Sequence, residues 1–406
     1  MAAIAPFRAL RPAPQAAARV AAVPYDVVST EEARALAAGN GLSFLHVSRA
    51  EIDLPEGTNP FGDAVYATAA ANFRRLRDQA PLVAEDAPSV YVYKLRMGAH
   101  VQAGLAACYS VDEYERDVIR RHEHTRRDKE DDRTRHLLEL GAQTGPVFLT
   151  YRARPAVDGL VHRLTTTTAP LYDFTAVDDV QHTIWRVNAQ DERQLVLAFD
   201  AIPALYIADG HHRAASAARA RRQRAGPTGA SGEWDWFLAV AFPDSQTQIL
   251  PYNRVVADLA GMTADVFLTE LRNRFSVTDG PAMPARRGEV AVFLGDAWKT
   301  VVLGEAANAS SPADRLDVSR LQDAVLAPLL RIGDVRTDKR IDFVGGARGT
   351  SELEARVRSG AAAVAFSLHP VDVQDLMAIA DAGGIMPPKS TWFEPKLRDG
   401  LLSHEI

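Results

Sequence analysis

Ala204-Leu205-Tyr206-Ile207-Ala208-Asp209-Gly210-His211-His212-Arg213-Ala214-Ala215 is the stretch that decides the fold class. Its first five residues have the length and composition of a short buried strand. The strand stops at Asp209-Gly210, where glycine permits a tight turn, and an Ala-rich helix is predicted from about Arg213. Small Ala214, Ala215, Ala217 and Ala218 let that helix lie close on a sheet. Free N–H groups and the positive end of the helix dipole favour an anion at such a turn. Basic side chains there oppose the dipole, so His211, His212 and Arg213 point to an anionic ligand that offsets them. The alternative is a plain turn with solvated side chains. A metal held by His211 and His212 is disfavoured, because adjacent residues rarely aim at one ion and no third ligand has recognisable spacing.

Strands and helices continue to mix on both sides of this stretch. The runs 90–96 and 101–109 are rich in β-branched and aromatic residues and flank Met97-Gly98-Ala99-His100, which predicts a β-hairpin. Residues 112–141 are charged and mostly helical, with an interruption near 122–132. Gly145-Pro146 introduces a strand at 147–151, followed by a strand at 180–187 and a helix at 192–199. A loop at 226–232 then leads to strands at 237–242 and 248–256. From 258 the pattern changes to a helix (263–274), a hairpin (289–303), a linker (306–312) and a helix from Asp317 with Val318, Leu321 and Val325 on its apolar side. The sequence therefore predicts a mixed α/β (α+β) fold, with a core over 1–257 and a further α/β part over 258–406.

Composition bounds the function classes. The chain has 406 residues, 47% hydrophobic, enough for a sizeable core. A net charge of −6 with 24% charged residues gives no global signal for a nucleic-acid or membrane partner. No run approaches the ~18 apolar residues of a membrane span, and Arg8, Arg11 and Pro12 interrupt any signal-type core. The single Cys108 cannot form an internal disulfide and sits in an apolar run. It reads as core, in keeping with a cytoplasmic location. There is no Gly-x-x-x-x-Gly-Lys-Ser/Thr loop, no Gly-x-Gly-x-x-Gly and no Gly-x-Ser-x-Gly elbow. Oligomeric state is left open.

Two further clusters carry polar chemistry. Arg121-His122-Glu123-His124-Thr125 is followed by Lys129-Glu130-Asp131-Asp132-Arg133. Glu123 is a candidate general base for a hydroxyl, and Lys129 or Arg133 could compensate phosphate charge. His122 and His124 would share one face if the segment were extended, and could then bind a metal. The alternative is an exposed helix laced with ion pairs. Near the C-terminus, Met386-Pro387-Pro388-Lys389-Ser390-Thr391-Trp392-Phe393-Glu394-Pro395-Lys396 combines a stiff backbone with the cations Lys389 and Lys396 and the hydroxyls of Ser390 and Thr391. That combination suits a phosphate or carboxylate clamp, although the segment could equally serve to pack Trp392 and Phe393. Smaller candidates are Pro24-Tyr25-Asp26, Asn40, His46, His182, Trp185 and Arg186.

Taken in order, Pro6-Phe7-Arg8, Pro24-Tyr25-Asp26-Val27-Val28, Phe44-Leu45-His46-Val47, His122-Glu123-His124-Thr125, Lys129 to Arg133, Gly145-Pro146-Val147-Phe148, Asp209 to Arg213 and Met386 to Thr391 resemble the family known as domain of unknown function 1015. The Asp-Gly-His-His-Arg element resembles that of the SerK-type free serine kinases of the ParB/sulfiredoxin-like group. This resemblance implies a ParB/sulfiredoxin-like catalytic core and transfer of a phosphoryl group from ATP or ADP, with Mg²⁺, to the hydroxyl of free L-serine or a similar hydroxy-amino acid. It implies that Glu123, Asp209 and His212 are catalytic, with Asp209 on Mg²⁺ or the substrate ammonium. Gly210, His211, Arg213, Lys129 and Arg133 would hold phosphates, and His122, His124, Lys389, Ser390 and Thr391 the substrate. Asn253 stands where the family often has His. Other classes stay open: a ParB-like nucleotide-dependent DNA-binding protein, a metal-dependent hydrolase using His122, Glu123 and His124, and a non-catalytic binding protein. The kinase reading requires the 209–213 turn and the cluster near 123 to face each other.

Overall fold

The computed structural model describes residues 2–78, 82–226, 229–304 and 309–406. Residues 306–308 of the predicted linker, and 227 and 228 of the predicted loop, lie outside them. The fold is mixed α/β and divides into two compact units, Met1–Thr247 with Pro395–Ile406, and Gln248–Glu394. The expected boundary at 257/258 is thus displaced at both ends. Residues 252–256 hydrogen-bond into the sheet of the second unit. The segment 395–406 pairs back onto the first, with His404 opposite Gln143 and bridges from Asp399 to Ala22 and from Ser403 to Leu10.

The main sheet of the first unit has nine strands: β1 (Ile4–Ala5), β2 (Tyr91–Met97), β3 (His100–Ser110), β4 (Ile119–Arg120), β5 (Val147–Tyr151), β6 (Tyr172–Thr175), β7 (Gln181–Arg186), β8 (Leu205–Asp209) and β9 (Trp236–Pro243). Their order is β4-β8-β5-β9-β3-β2-β7-β6, with β1 alongside β3. The predicted hairpin is β2–β3, where Gly98 takes φ +58° and Met97 faces His100. Strands β5, β8 and β9 are buried along almost their whole length, as their unbroken apolar runs require.

The unit has five longer helices, α1 (Asp63–Asp78), α2 (Arg127–Leu140), α3 (Pro155–Thr167), α4 (Ala189–Asp200) and α5 (His211–Ala225), of which α3 and α5 pack on strands of this sheet and α1 packs on α2. Helix α5 buries Ala214, Ala215, Ala217, Ala218 and Ala220, so its backbone lies close to its neighbours. Helix α2 packs on α5, where Ser216 Oγ donates to the Glu130 carbonyl at 3.3 Å and Arg219 pairs with Glu130 and Asp131. The predicted interruption ends earlier than expected: the chain is helical from Arg127, which puts Lys129 and Arg133 on α2. That helix stops at Gly141, whose φ of +63° makes the left-handed C-cap.

The second unit has a six-stranded antiparallel sheet of β10 (Tyr252–Val256), β11 (Ser276–Asp279), β12 (Glu289–Leu294), β13 (Ala297–Val302), β14 (Ile341–Gly345) and β15 (Val364–Leu368), in the order β11-β13-β12-β15-β10-β14. Side chains alternate between two faces. Val256, Val292 and Phe366 pack with Phe267 and Leu271 of α6 (Ala264–Arg274), while Val255, Phe293 and Ala365 pack with Leu353 of α7 (Gly349–Arg358). Asn253 is buried here and its Oδ1 accepts from the Leu368 N–H at 3.1 Å, which ties β10 to β15. Among the described residues no helix is long and apolar enough to cross a membrane.

Candidate functional site

Parallel pairing decides what meets at the 209–213 turn. Strand β8 pairs parallel with β4, Leu205 beside Ile119 and Tyr206 beside Arg120. Parallel neighbours send their chains out at the same end of the sheet, so residues 121–126 and 210–213 emerge side by side. The rings of His122 and His211 are consequently 4.4 Å apart, edge to face. The two segments that the sequence required to face each other do so.

Both turn histidines are acceptors. His211 Nε2 receives the His122 N–H at 3.5 Å, and His212 Nε2 receives the Arg126 N–H at 3.1 Å. A neutral imidazole that accepts on Nε2 carries its proton on Nδ1. Burial keeps the rings neutral, holding His122 near pKa 4, His211 well below the usual histidine range and His212 below it. Through these bonds both rings hold the 122–126 segment against the start of α5.

The helix begins at His211, two residues before the predicted start, because Gly210 at φ +94° is itself the N-cap. A Cβ at that position would also stand 2.9 Å from Arg213 Nε, so conformation and space both demand glycine. Arg213 is clamped: its Nη1 donates to the Pro146 carbonyl and its Nη2 to Asp209 Oδ2 at 3.1 Å. Lys396 Nζ lies 3.6 Å from the same carboxylate oxygen. Burial alone would raise the Asp209 pKa, but Lys396 and then Arg213 pull it down to about 2. Part of the anion that the basic helix start demanded is therefore Asp209 itself. Two cations thus share this one carboxylate.

Beside this turn opens a pocket lined by Tyr25, Arg133, His136, Thr144, Arg213 and Asp399, among others. Arg133 reaches it from α2, held by Asp132 at 2.7 Å and stacked 4.1 Å over the Tyr25 ring. Asp132 in turn accepts from Tyr66 Oη at 2.7 Å. Asp399 is buried, and its Oδ1 finds no donor among the described residues. Burial raises its pKa to about 7 against the opposing charge of Arg213. Gly145 makes room for it, since a Cβ there would lie 2.6 Å from Asp399 Oδ1. Exposed Asp26 is an electrostatic neighbour of His212, Arg213 and Asp399.

The structure thus brings His122, Glu123, Asp209, Gly210, His211, His212 and Arg213 to one place, with Arg133 sharing the cavity wall with Arg213. His124 is exposed while His122 is buried, so the pair does not share a face. The group that could ligate a cation is instead His122, Glu123 and His211, whose ligand atoms lie within 4.8 Å of one another. Two imidazoles suit a transition metal better than Mg²⁺, which prefers oxygen ligands. Asp209 does not fit Mg²⁺ as arranged, because its carboxylate is shared between two cations. Lys129 Nζ sits 5.3 Å over the ring of exposed Phe61. Lys389, Ser390 and Thr391 belong to the second unit. There Lys389 lies 5.6 Å over the Tyr252 ring, and the Ser390 hydroxyl donates to the Pro387 carbonyl of its own turn.

Sequence reasoning did not single out Asp399, and it named Lys396 without its partner. No local signal marks either, since both join the site from the returning segment 395–406.

Comparison with solved structures finds a free serine kinase in complex with AMP, at 13% identity and a TM-score of 0.37, covering 74% of this chain and 91% of that one. A C-terminally truncated SbnI from Staphylococcus aureus matches at 11% identity and TM-score 0.37, covering 72% and 85%. A conserved hypothetical protein from Pyrococcus furiosus matches at 15% and 0.34, covering 73% and 94%. No curated protein matches. The family described as protein of unknown function (DUF1015) matches residues 4–319, and the chain belongs to that family.

Proposed function

We propose that the chain is a nucleotide-dependent kinase that phosphorylates the hydroxyl of free L-serine, or of a similar small hydroxy-amino acid, to the O-phospho product. The observation that carries this reading is the meeting of a carboxylate-bearing segment, His122-Glu123, with a clamped cationic turn at the same end of two parallel strands. Phosphoryl transfer depends on positioning and charge neutralisation. Arg213 and Lys396, both fixed on Asp209, and Arg133 across the cavity supply positive charge for the nucleotide phosphates. ATP or ADP enters as its magnesium complex. The serine oxygen bonds to the terminal phosphorus, the bond to the leaving nucleotide oxygen breaks, and the hydroxyl proton passes to Glu123. His211 and His212 act as positioning residues by holding the segment that bears Glu123. We assign the enzyme to the cytoplasm, in keeping with its one buried cysteine.

The test is a grid of ATP and ADP against serine, threonine and homoserine, read by phosphorus NMR. We expect O-phosphoserine to form, and Glu123→Gln and Asp209→Asn to lose at least about a hundredfold in rate while keeping the parent circular dichroism. Full activity in both variants, or no phosphorylated amino acid in any cell of the grid, overturns the reading.

A second reading, metal-dependent hydrolysis, is favoured by the His122, Glu123 and His211 group and by the buried His122 Nδ1, which has no partner among the described residues. Stoichiometric zinc in the purified protein, with chelator inhibition that Mg²⁺ does not reverse, would support it over the kinase.

A further inference from the structure

Arg254 lies on β10 and is 2% exposed, among the largest fully buried side chains of the chain. Buried guanidinium groups are almost always paired with a carboxylate, because desolvating an uncompensated charge is costly. Among the described residues no carboxylate meets this one. Its Nη1 donates to the Tyr252 carbonyl and its Nη2 to the Lys389 carbonyl at 3.0 Å, with Pro388 O at 3.5 Å. The Phe343 ring is 5.4 Å away. Carbonyls and a ring face offer dipoles and a quadrupole but no net charge. Burial accordingly drags the Arg254 pKa down to about 9.

This side chain lines an open cleft within the second unit, together with Arg287, Arg315, His369, Asp317 and Asp375. Both carboxylates are already engaged. Asp375 pairs with Arg287. Asp317 accepts the Gly288 N–H at 2.9 and 3.0 Å and pairs with Arg320 at 3.4 Å. Arg315 is exposed and makes no ion pair among the described residues. His369 uses Nδ1 on the Pro370 carbonyl at 3.0 Å, which leaves Nε2 for other partners. Two guanidinium charges thus face one cleft without a counter-ion.

We infer that the second unit binds a small anionic ligand in this cleft, a molecule presenting a phosphate or carboxylate group to Arg254 and Arg315, with His369 beside it. Arginine forks are suited to planar or tetrahedral oxyanions, and a bound anion supplies the charge that Arg254 lacks. The cleft is lined by residues of the second unit alone, and the inference does not depend on the kinase reading.

The experiment is calorimetric titration of the full chain, at low ionic strength, with inorganic phosphate in one arm and acetate in the other. The parent, Arg213→Gln, Arg315→Gln and Arg254→Lys proteins are compared, and crystals are soaked in tungstate. The expected result is a binding site that survives Arg213→Gln, weakens at least tenfold in Arg315→Gln and Arg254→Lys, and shows tungstate density against both guanidinium groups. Tighter phosphate than acetate identifies a phosphorylated ligand, and the reverse identifies a carboxylate. Arg315 is exposed, so its variant keeps the test valid if the Arg254 variant fails to fold. Absence of binding in the parent, binding indifferent to Arg315→Gln, or tungstate confined to other places would overturn the inference.

Discussion

Replacing Asp399 with asparagine should stabilise the first unit, and more so as the pH rises. Asp399 is buried with one carboxylate oxygen lacking a donor among the described residues. Burial is the leading cause of its raised pKa; Arg213, Arg133 and Arg398 oppose the rise and Asp26 adds to it. For an acid whose folded pKa is raised, the folded chain holds a proton that the unfolded chain has released. Stability is therefore complete below the ordinary value of 3.8 and declines until the pH passes about 7. The whole rise corresponds to about 4 kcal/mol. Roughly 1.5 kcal/mol of this is already present at pH 5, which leaves about 2.5 kcal/mol to appear between pH 5 and 8.5. Asparagine does not ionise, so its advantage over the parent should grow by that amount across the interval. Urea unfolding followed by the fluorescence of Trp185, Trp234 and Trp236, all in the first unit, measures it. An advantage that is the same at both pH values, or a variant less stable than the parent at pH 8.5, would show an ionised Asp399 paired with arginine and refute the reasoning.

Gly210→Ala should cost about 1–3 kcal/mol of stability through its left-handed backbone alone, and should weaken binding of a fluorescent nucleotide because the new Cβ displaces Arg213; an unchanged melting temperature and affinity would contradict both points. His122 is held neutral by burial near pKa 4, so the unfolded chain takes up a proton there that the folded one refuses, and the parent should lose about 2 kcal/mol as the pH falls from 7 to 5. His122→Gln should lose that share of the acid slope in urea titrations, and a slope identical to the parent's would show that His122 titrates normally.

The strand, turn and helix at 205–225 were legible because each rests on local chemistry: an apolar run, a glycine, and alanines that permit close packing. The meeting of 122–123 with 210–213 was required by the sequence but not derivable from it, since it follows from the parallel pairing of β4 with β8. The basic helix start was read as a demand for a foreign anion, yet Asp209, one residue before the turn glycine, meets part of that demand. That His211 and His212 would each accept a backbone N–H from the 122–126 segment on Nε2 has no mark in the sequence, because it depends on which strand lies beside β8. The unit boundary was set one strand too late because an apolar run does not say which sheet it will join. β10 looks like any strand of the first unit until its partners β14 and β15 are known. Lys396 and Asp399 could not have been assigned, because nothing in 395–399 encodes a partner so distant in sequence.

That returning segment makes the first unit discontinuous along the chain, with all of 248–394 interposed before its last strand pairing. Synthesis runs in one direction and domains fold as they emerge. A ribosome therefore delivers the whole second unit while the first still lacks the lysine that shares Asp209 and the acid that faces Arg213. The nascent first unit passes through a stage with its sheet complete and its charge balance unfinished, and the arrival of Lys396 and Asp399 brings that stage to a close.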